Sequence, residues 1–115
     1  MIDLDIVLPC YQPPLHWHKG LIKTYEALTK QYKLQFILVL DGCPRSRIQF
    51  ELKEILQQNV PLRLIELNQN YGKGYAIRKG VEVSTAAYVV YTDIDFPFTL
   101  KSLQSLLDTL TQSHC

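Results

Sequence analysis

No apolar run in the chain approaches the ~18 residues that cross a bilayer. Its first residues, Met1, Ile2, Asp3, Leu4 and Asp5, carry acids where a secretory leader needs bases. A soluble, cytoplasmic chain is the expectation. Charge of one sign is missing too: Lys plus Arg total 12 against 11 for Asp plus Glu, so no global field draws in nucleic acid or an anionic membrane. Nucleic acid is not an expected partner, and any bound anion has to be held by a local site. The three cysteines, Cys10, Cys43 and Cys115, lack the close spacing of a zinc site or thioredoxin motif, and their number is odd. They read as reduced thiols. No repeat, linker or low-complexity segment interrupts the chain.

What is present is the balance of a globular protein: 47% of residues are apolar and 20% charged, which excludes the disordered and collagen-like classes. The length, 115 residues, suits a single domain, 1–115, with a real core and no room for a second. Four apolar, β-rich runs, at 4–9, 34–40, 62–67 and 87–92, read as strands. The second and fourth, Phe36-Ile37-Leu38-Val39-Leu40 and Tyr88-Val89-Val90-Tyr91, are continuously apolar, as in strands covered on both faces of a parallel sheet. Helical spacing lies between them: Leu21, Tyr25, Leu28 and Tyr32 in a first helix, then Ile48, Leu52, Ile55 and Leu56 in a second. A third, from Lys73 to about Ser84, puts Ala76, Ile77 and Val81 on one side, with Gly80 allowing close packing. A last helix, N-capped by Thr99, carries Leu100, Leu103, Leu107 and Leu110. This order predicts an α/β, doubly wound, mostly parallel four-stranded sheet in order 3-2-1-4, with helices on both faces.

In such a sheet ligands bind outside the carboxyl ends of the strands, where connections diverge. All four unusual segments follow strands: Pro9-Cys10-Tyr11-Gln12-Pro13-Pro14, Asp41-Gly42-Cys43-Pro44-Arg45, Asn68-Gln69-Asn70-Tyr71-Gly72-Lys73-Gly74, and Asp93-Ile94-Asp95-Phe96-Pro97. Asp93 and Asp95, two apart at the end of an extended run, point one way while Ile94 points the other. Together they suit a hard cation, magnesium or manganese, whose shell is completed by water and substrate phosphates. A bare Asp-x-Asp is more often a loop cap beside a solvated acid, and only the neighbouring loops tip the balance toward the cation. Gly72-Lys73-Gly74 opens a helix, where free N–H groups and the macrodipole favour an anion and Lys73 adds a mobile charge. It is not a dinucleotide fingerprint, because it follows the third strand and Ile77 stands where a third glycine belongs. Arg78 and Lys79 either face that site or form a solvated stripe. Asp41 is an acceptor for a base N–H or a ribose hydroxyl, or a turn residue; Tyr11 stacks on a base, or lies in the core or at the rim. His16, Trp17 and His18 lack ligand partners at metal spacing and lead into the first helix.

These segments resemble, in order and along the whole chain, those of family-two glycosyltransferases of the GT-A type. Ile6-Val7-Leu8-Pro9-Cys10-Tyr11-Gln12 is similar to their opening strand and Pro-x-Tyr-Asn loop; Val39-Leu40-Asp41-Gly42-Cys43 to Val-Asp-Asp-Gly-Ser. The run from Asn70 to Gly80 is similar to Asn-x-Gly-Lys-Gly-x-Ala-x-Arg-x-Gly, and Tyr91-Thr92-Asp93-Ile94-Asp95 to the strand ending in Asp-x-Asp. With Phe96-Pro97 after it, that last motif looks most like enzymes that transfer a sugar to a polyprenyl or dolichyl phosphate. Leu40 and Cys43 depart from the pattern, standing where the family usually has an acid and a serine.

The resemblance implies the Rossmann-like half of a GT-A fold and a site for a nucleotide-diphosphate sugar, UDP- or GDP-linked. Pro9, Tyr11, Asp41, Gly72, Lys73, Arg78 and Asp93 would bind the donor, and Asp95 with Asp93 would hold Mg2+ or Mn2+. The family's catalytic base and acceptor elements follow the Asp-x-Asp helix, so no catalytic base is nominated here and the domain is expected to be truncated, its acceptor half absent. Apolar surface on the strand-four side then favours a homo-oligomer, and a full-length enzyme would sit peripherally at a membrane. The rival to a transferase is a non-catalytic nucleotide-sugar-binding module. A nucleotidyltransferase would want glycines in 9–14, and a receiver domain would want acids where Cys10 and Asn68 stand.

Overall fold

The apolar runs pair side by side in a computed structural model that describes residues 2–94. Strands β1 (Ile2–Cys10), β2 (Tyr32–Asp41), β3 (Leu62–Leu67) and β4 (Tyr88–Tyr91) form one sheet in the order β3-β2-β1-β4. Every pairing is parallel; Ile6 sits between Phe36 and Val90, and Leu38 is opposite Leu64. The connections are helices α1 (Trp17–Leu28), α2 (Gln49–Gln57, entered through a 3-10 turn at Arg45–Ile48) and α3 (Lys73–Val83). The helix expected over Leu100 to Leu110, with its Thr99 cap, lies outside the described residues.

Because side chains alternate across a strand, the unbroken apolar run of β2 feeds two cores at once. Phe36, Leu38 and Leu40 join Leu4, Ile6 and Leu8 beneath Trp17, Leu21 and Leu28 of α1 and Ile48, Leu52 and Ile55 of the second connection. Ile37 and Val39 turn to the other face and pack with Val7 and with Ala76 of α3. Each such fully buried side chain contributes ~1.5–3 kcal/mol. The sheet is thus covered on both sides, by α1 and α2 on one and α3 on the other.

Four details differ from the sequence reading. Tyr32 belongs to β2, buried and paired in register with Ile2, because α1 has already ended at Leu28. Leu56 is 59% exposed, so α2 buries only Leu52 and Ile55. On α3 the inward face is Ala76 and Gly80 with Val83 at its edge, while Val81 is 40% exposed. The small residues decide this, since a Cβ on Gly80 would lie 2.4 Å from Val7 Cγ1; the helix comes so close that only a glycine fits. Finally, β4 is half-buried rather than covered on both faces, and Tyr91 is exposed.

The far end of α3 is held by polarity. Ser84 Oγ donates to Asp5 Oδ2 at 2.7 Å, giving a buried carboxylate on β1 a partner it needs.

Candidate functional site

Strand β1 sends the chain to α1 on one face of the sheet, while its neighbour β4 receives the chain from α3 on the other. The crevice between them is where an open sheet of this kind binds ligand. The loops 11–16, 42–44 and 68–72 and the segment 92–94 all follow carboxyl ends of parallel strands and so lie on one edge. Three of them, 11–16, 68–72 and 92–94, with the strand ends at Pro9 and Asp41, enclose a cavity of about 410 Å3 lined by Pro9, Tyr11, Gln12, Pro14, Asp41, Asn70, Gly72, Lys73, Asp93 and Ile94. A larger concavity, about 1150 Å3, lies between α2 and the β3 edge; it is lined by Leu52, Leu56, Leu62 and neighbouring polar residues and touches none of the strand-end motifs except Arg45. Size alone therefore does not mark the site.

Six of the residues singled out in the sequence meet in the smaller cavity: Pro9, Tyr11, Asp41, Gly72, Lys73 and Asp93. Arg78 is exposed on α3 and is not among its lining residues. Asp95 lies outside the described residues. Gln12, Pro14, Asn70 and Ile94 line the cavity without having been singled out. Asn70 carried a readable signal, an Asx residue two before a glycine, and its Oδ1 accepts the Gly72 N–H at 2.9 Å.

Gly72 is required by its backbone. Its φ of 103 lies where side chains are strained, and nothing stands within 4 Å of where a Cβ would be. From this residue α3 begins, and the first N–H groups of a helix have no intrahelical acceptor, so its positive end opens beside Lys73. Lys73 Nζ forms an ion pair with Asp93 Oδ1. Both side chains are about half exposed, 57% and 45%, so the pair adds little stability and is free to exchange partners.

Asp41 is different, at only 3% exposure. Its Oδ1 accepts the Tyr71 N–H at 2.7 Å and its Oδ2 the Gly72 N–H at 3.0 Å, so both oxygens are engaged by the loop ahead of α3. Across that loop the rings of Tyr71 and Tyr75 stack with centroids 4.5 Å apart, and Tyr71 Oη donates to Asn68 Oδ1. Beneath the loops, Cys10 and Cys43 are buried free thiols. Burial, then the neighbouring Cys43, pushes the Cys10 thiol well above its usual range, so it stays protonated.

Strand β4 ends at Tyr91, two residues before Asp93, so strand alternation does not govern the direction of this carboxylate as the sequence reading assumed. Ile94 packs against the larger core while also lining the cavity. Among the described residues no group of three or more His, Cys, Asp or Glu side chains gathers as a metal site. What the cavity offers a cation is one half-exposed carboxylate oxygen donor, Asp93, which fits a hard divalent ion that takes most of its shell from water and phosphate. Among the described residues no helix is long and apolar enough to cross a membrane.

Known proteins carry the same architecture. The crystal structure of TarS from S. aureus matches 94% of this chain with a TM-score of 0.65 at 15% identity, over 20% of its own length, a likeness of fold. In sequence the chain is 25% identical over 114 residues to an uncharacterized glycosyltransferase of Synechocystis, covering 98% of this chain. It is 25% identical to a dolichyl-phosphate beta-glucosyltransferase of Dictyostelium discoideum and 26% identical to one of Saccharomyces cerevisiae, covering 95% and 96% of this chain. The chain spans about a third of the length of these relatives, 36%, 36% and 35%. The sequence model of glycosyl transferase family 2 matches residues 5–115, and with its Rossmann-like sheet in the order 3-2-1-4 the chain belongs to that family.

Proposed function

We propose that the chain is the donor-binding part of a glycosyltransferase that moves a sugar from a UDP- or GDP-linked donor to a lipid phosphate of the polyprenyl or dolichyl type. The observation that carries this reading is the convergence of Pro9, Tyr11, Gly72, Lys73 and Asp93, from three separate connections, on one cavity at the carboxyl edge of the sheet. The relatives named for dolichyl phosphate support the choice of acceptor. A cytoplasmic enzyme, peripheral at a membrane, would meet such an acceptor there, and residues 1–115 act as one nucleotide-sugar-binding domain.

In this reading Pro9 and Tyr11 present an apolar wall to the base. The N–H groups opening α3 and the ammonium of Lys73 face the diphosphate, where negative charge builds as the sugar–phosphate bond breaks. Asp93, with Asp95, would hold Mg2+ or Mn2+, which would supply positive charge opposite the departing diphosphate. With donor and cation bound, Lys73 would be free to pair with phosphate oxygens and Asp93 to serve as a ligand to the cation. Arg78, five residues past Lys73 on α3 and exposed, adds long-range positive charge. Calorimetric titration with UDP-glucose and GDP-mannose, with Mn2+, with Mg2+ and with chelator, tests the reading. Metal-dependent binding of one donor is the expected result; heat from neither, under any condition, would remove it.

A further inference from the structure

We infer that Asp41 is a positioning residue that fixes the diphosphate turn, and that it does not read the nucleobase. The carboxylate is 3% exposed and each of its oxygens already accepts a backbone N–H, from Tyr71 and from Gly72. A buried charge needs such charge-assisted partners, and although each oxygen keeps a second lone pair, so little of the residue is exposed that a base N–H has scant access to it. The adjacent residue tightens the same contact. Gly42 has a φ of 75, and a Cβ there would stand 2.6 Å from the Asn70 nitrogen and 3.0 Å from the Gln69 carbonyl carbon. The end of β2 is therefore packed backbone against backbone on loop 68–72, and a side chain at position 42 would push the loop away. What the grip fixes is the start of α3: Gly72 carries the shared hydrogen bond, and Lys73 follows it into the cavity. A loop held in this way presents its N–H groups to an anion already ordered, which lowers the cost of binding.

The link from grip to donor affinity rests on the function proposed above; the grip itself does not. The test is Asp41→Asn in the full chain, read by amide hydrogen exchange and by titration with Mg2+ and UDP, GDP or inorganic pyrophosphate, which has no base. The expected result is exchange at Tyr71 and Gly72 about tenfold faster or more, with the middle of β2 still protected. Affinities for pyrophosphate and for whichever nucleotide binds should fall by a common factor of about ten. Unchanged exchange at both amides would overturn the inference, as would a loss for a nucleotide with pyrophosphate affinity intact, the signature of a base reader. If wild type binds none of the three, the donor reading fails while the exchange result still decides the grip. Should Asp41→Asn not fold, scalar couplings across the hydrogen bonds from the Tyr71 and Gly72 nitrogens to the Asp41 carboxylate carbon in wild type decide it, their absence being fatal.

Discussion

Gly80→Ala sets two effects of known size against each other. In a helix interior alanine is worth ~1 kcal/mol more than glycine, so α3 by itself gains from the change. Against the sheet it loses, because the new methyl would stand 2.4, 3.0 and 3.2 Å from Val7 Cγ1, Cγ2 and Cβ. Val7 cannot rotate out of the way, being β-branched, on a central strand and fully buried. Overpacking of this kind costs ~1–3 kcal/mol. Taking the middle of that range, the net loss is ~1 kcal/mol, or about 4 °C in Tm for a chain of this size. Urea unfolding followed by fluorescence reads it directly, since Trp17 is the sole tryptophan and is buried in the native state. The pair with Val7→Ala completes the test. That change alone removes two buried methyls, ~1.6 kcal/mol plus a cavity term. In the double variant the methyl added at position 80 occupies the vacated space, so the combined loss should be at least ~1 kcal/mol smaller than the sum. A Gly80→Ala variant ~1 kcal/mol more stable than wild type, or strict additivity in the double, would refute the close approach of α3. The consequence reaches the site, because α3 carries Lys73 at its first position.

Lys73→Met should weaken Mg2+-dependent UDP binding about tenfold or more, as loss of a charged contact of ~1.5–3 kcal/mol requires. Tm should hardly move, since the Lys73–Asp93 pair is half exposed; an equal affinity for UDP in calorimetry would refute the role given to the ammonium. Asp95→Asn should likewise cost more than ~1.4 kcal/mol, tenfold in metal-dependent donor affinity, with folding unchanged, and equal calorimetric affinities with and without Mn2+ would remove the Asp-x-Asp cation site. For Cys10, whose folded thiol is raised above its ordinary 9.0, the folded state holds the proton more tightly than the unfolded state does. Its contribution is complete below pH 9.0 and falls as pH rises beyond it, so urea midpoints should drop on going alkaline, and Cys10→Ala should flatten that slope.

Most of the fold was legible because its determinants are local. A run such as Phe36-Ile37-Leu38-Val39-Leu40 announces a strand buried on both faces, and the stretch from Lys73 to about Ser84 announces a helix opened by glycine, which the structure ends at Val83. Parallel strands joined by helices then place every strand-end loop on one edge, which is how Pro9, Tyr11, Asp41, Gly72, Lys73 and Asp93 could be grouped from sequence alone, whereas Arg78, grouped with them, does not line the cavity. Other features depended on distance between parts of the chain. The inward face of α3 was misjudged because apolar size favours Val81, whereas the gap over Val7 admits only Ala76 and Gly80. Asp41 read as an acceptor for a ligand or as a turn residue, and its partners could not be named, because Tyr71 and Gly72 stand some thirty residues away and offer backbone groups that no side-chain pattern advertises. By itself, then, the sequence determined the element types, the sheet order and the edge on which the candidate site gathers, since periodicity and strand composition act over a few residues. Only the tertiary structure decided which carboxylates meet solvent and which meet the chain: Asp93 is open and paired with Lys73, and Asp41 is closed against two amides, because burial and hydrogen-bond partners are set by loops that fold back on one another.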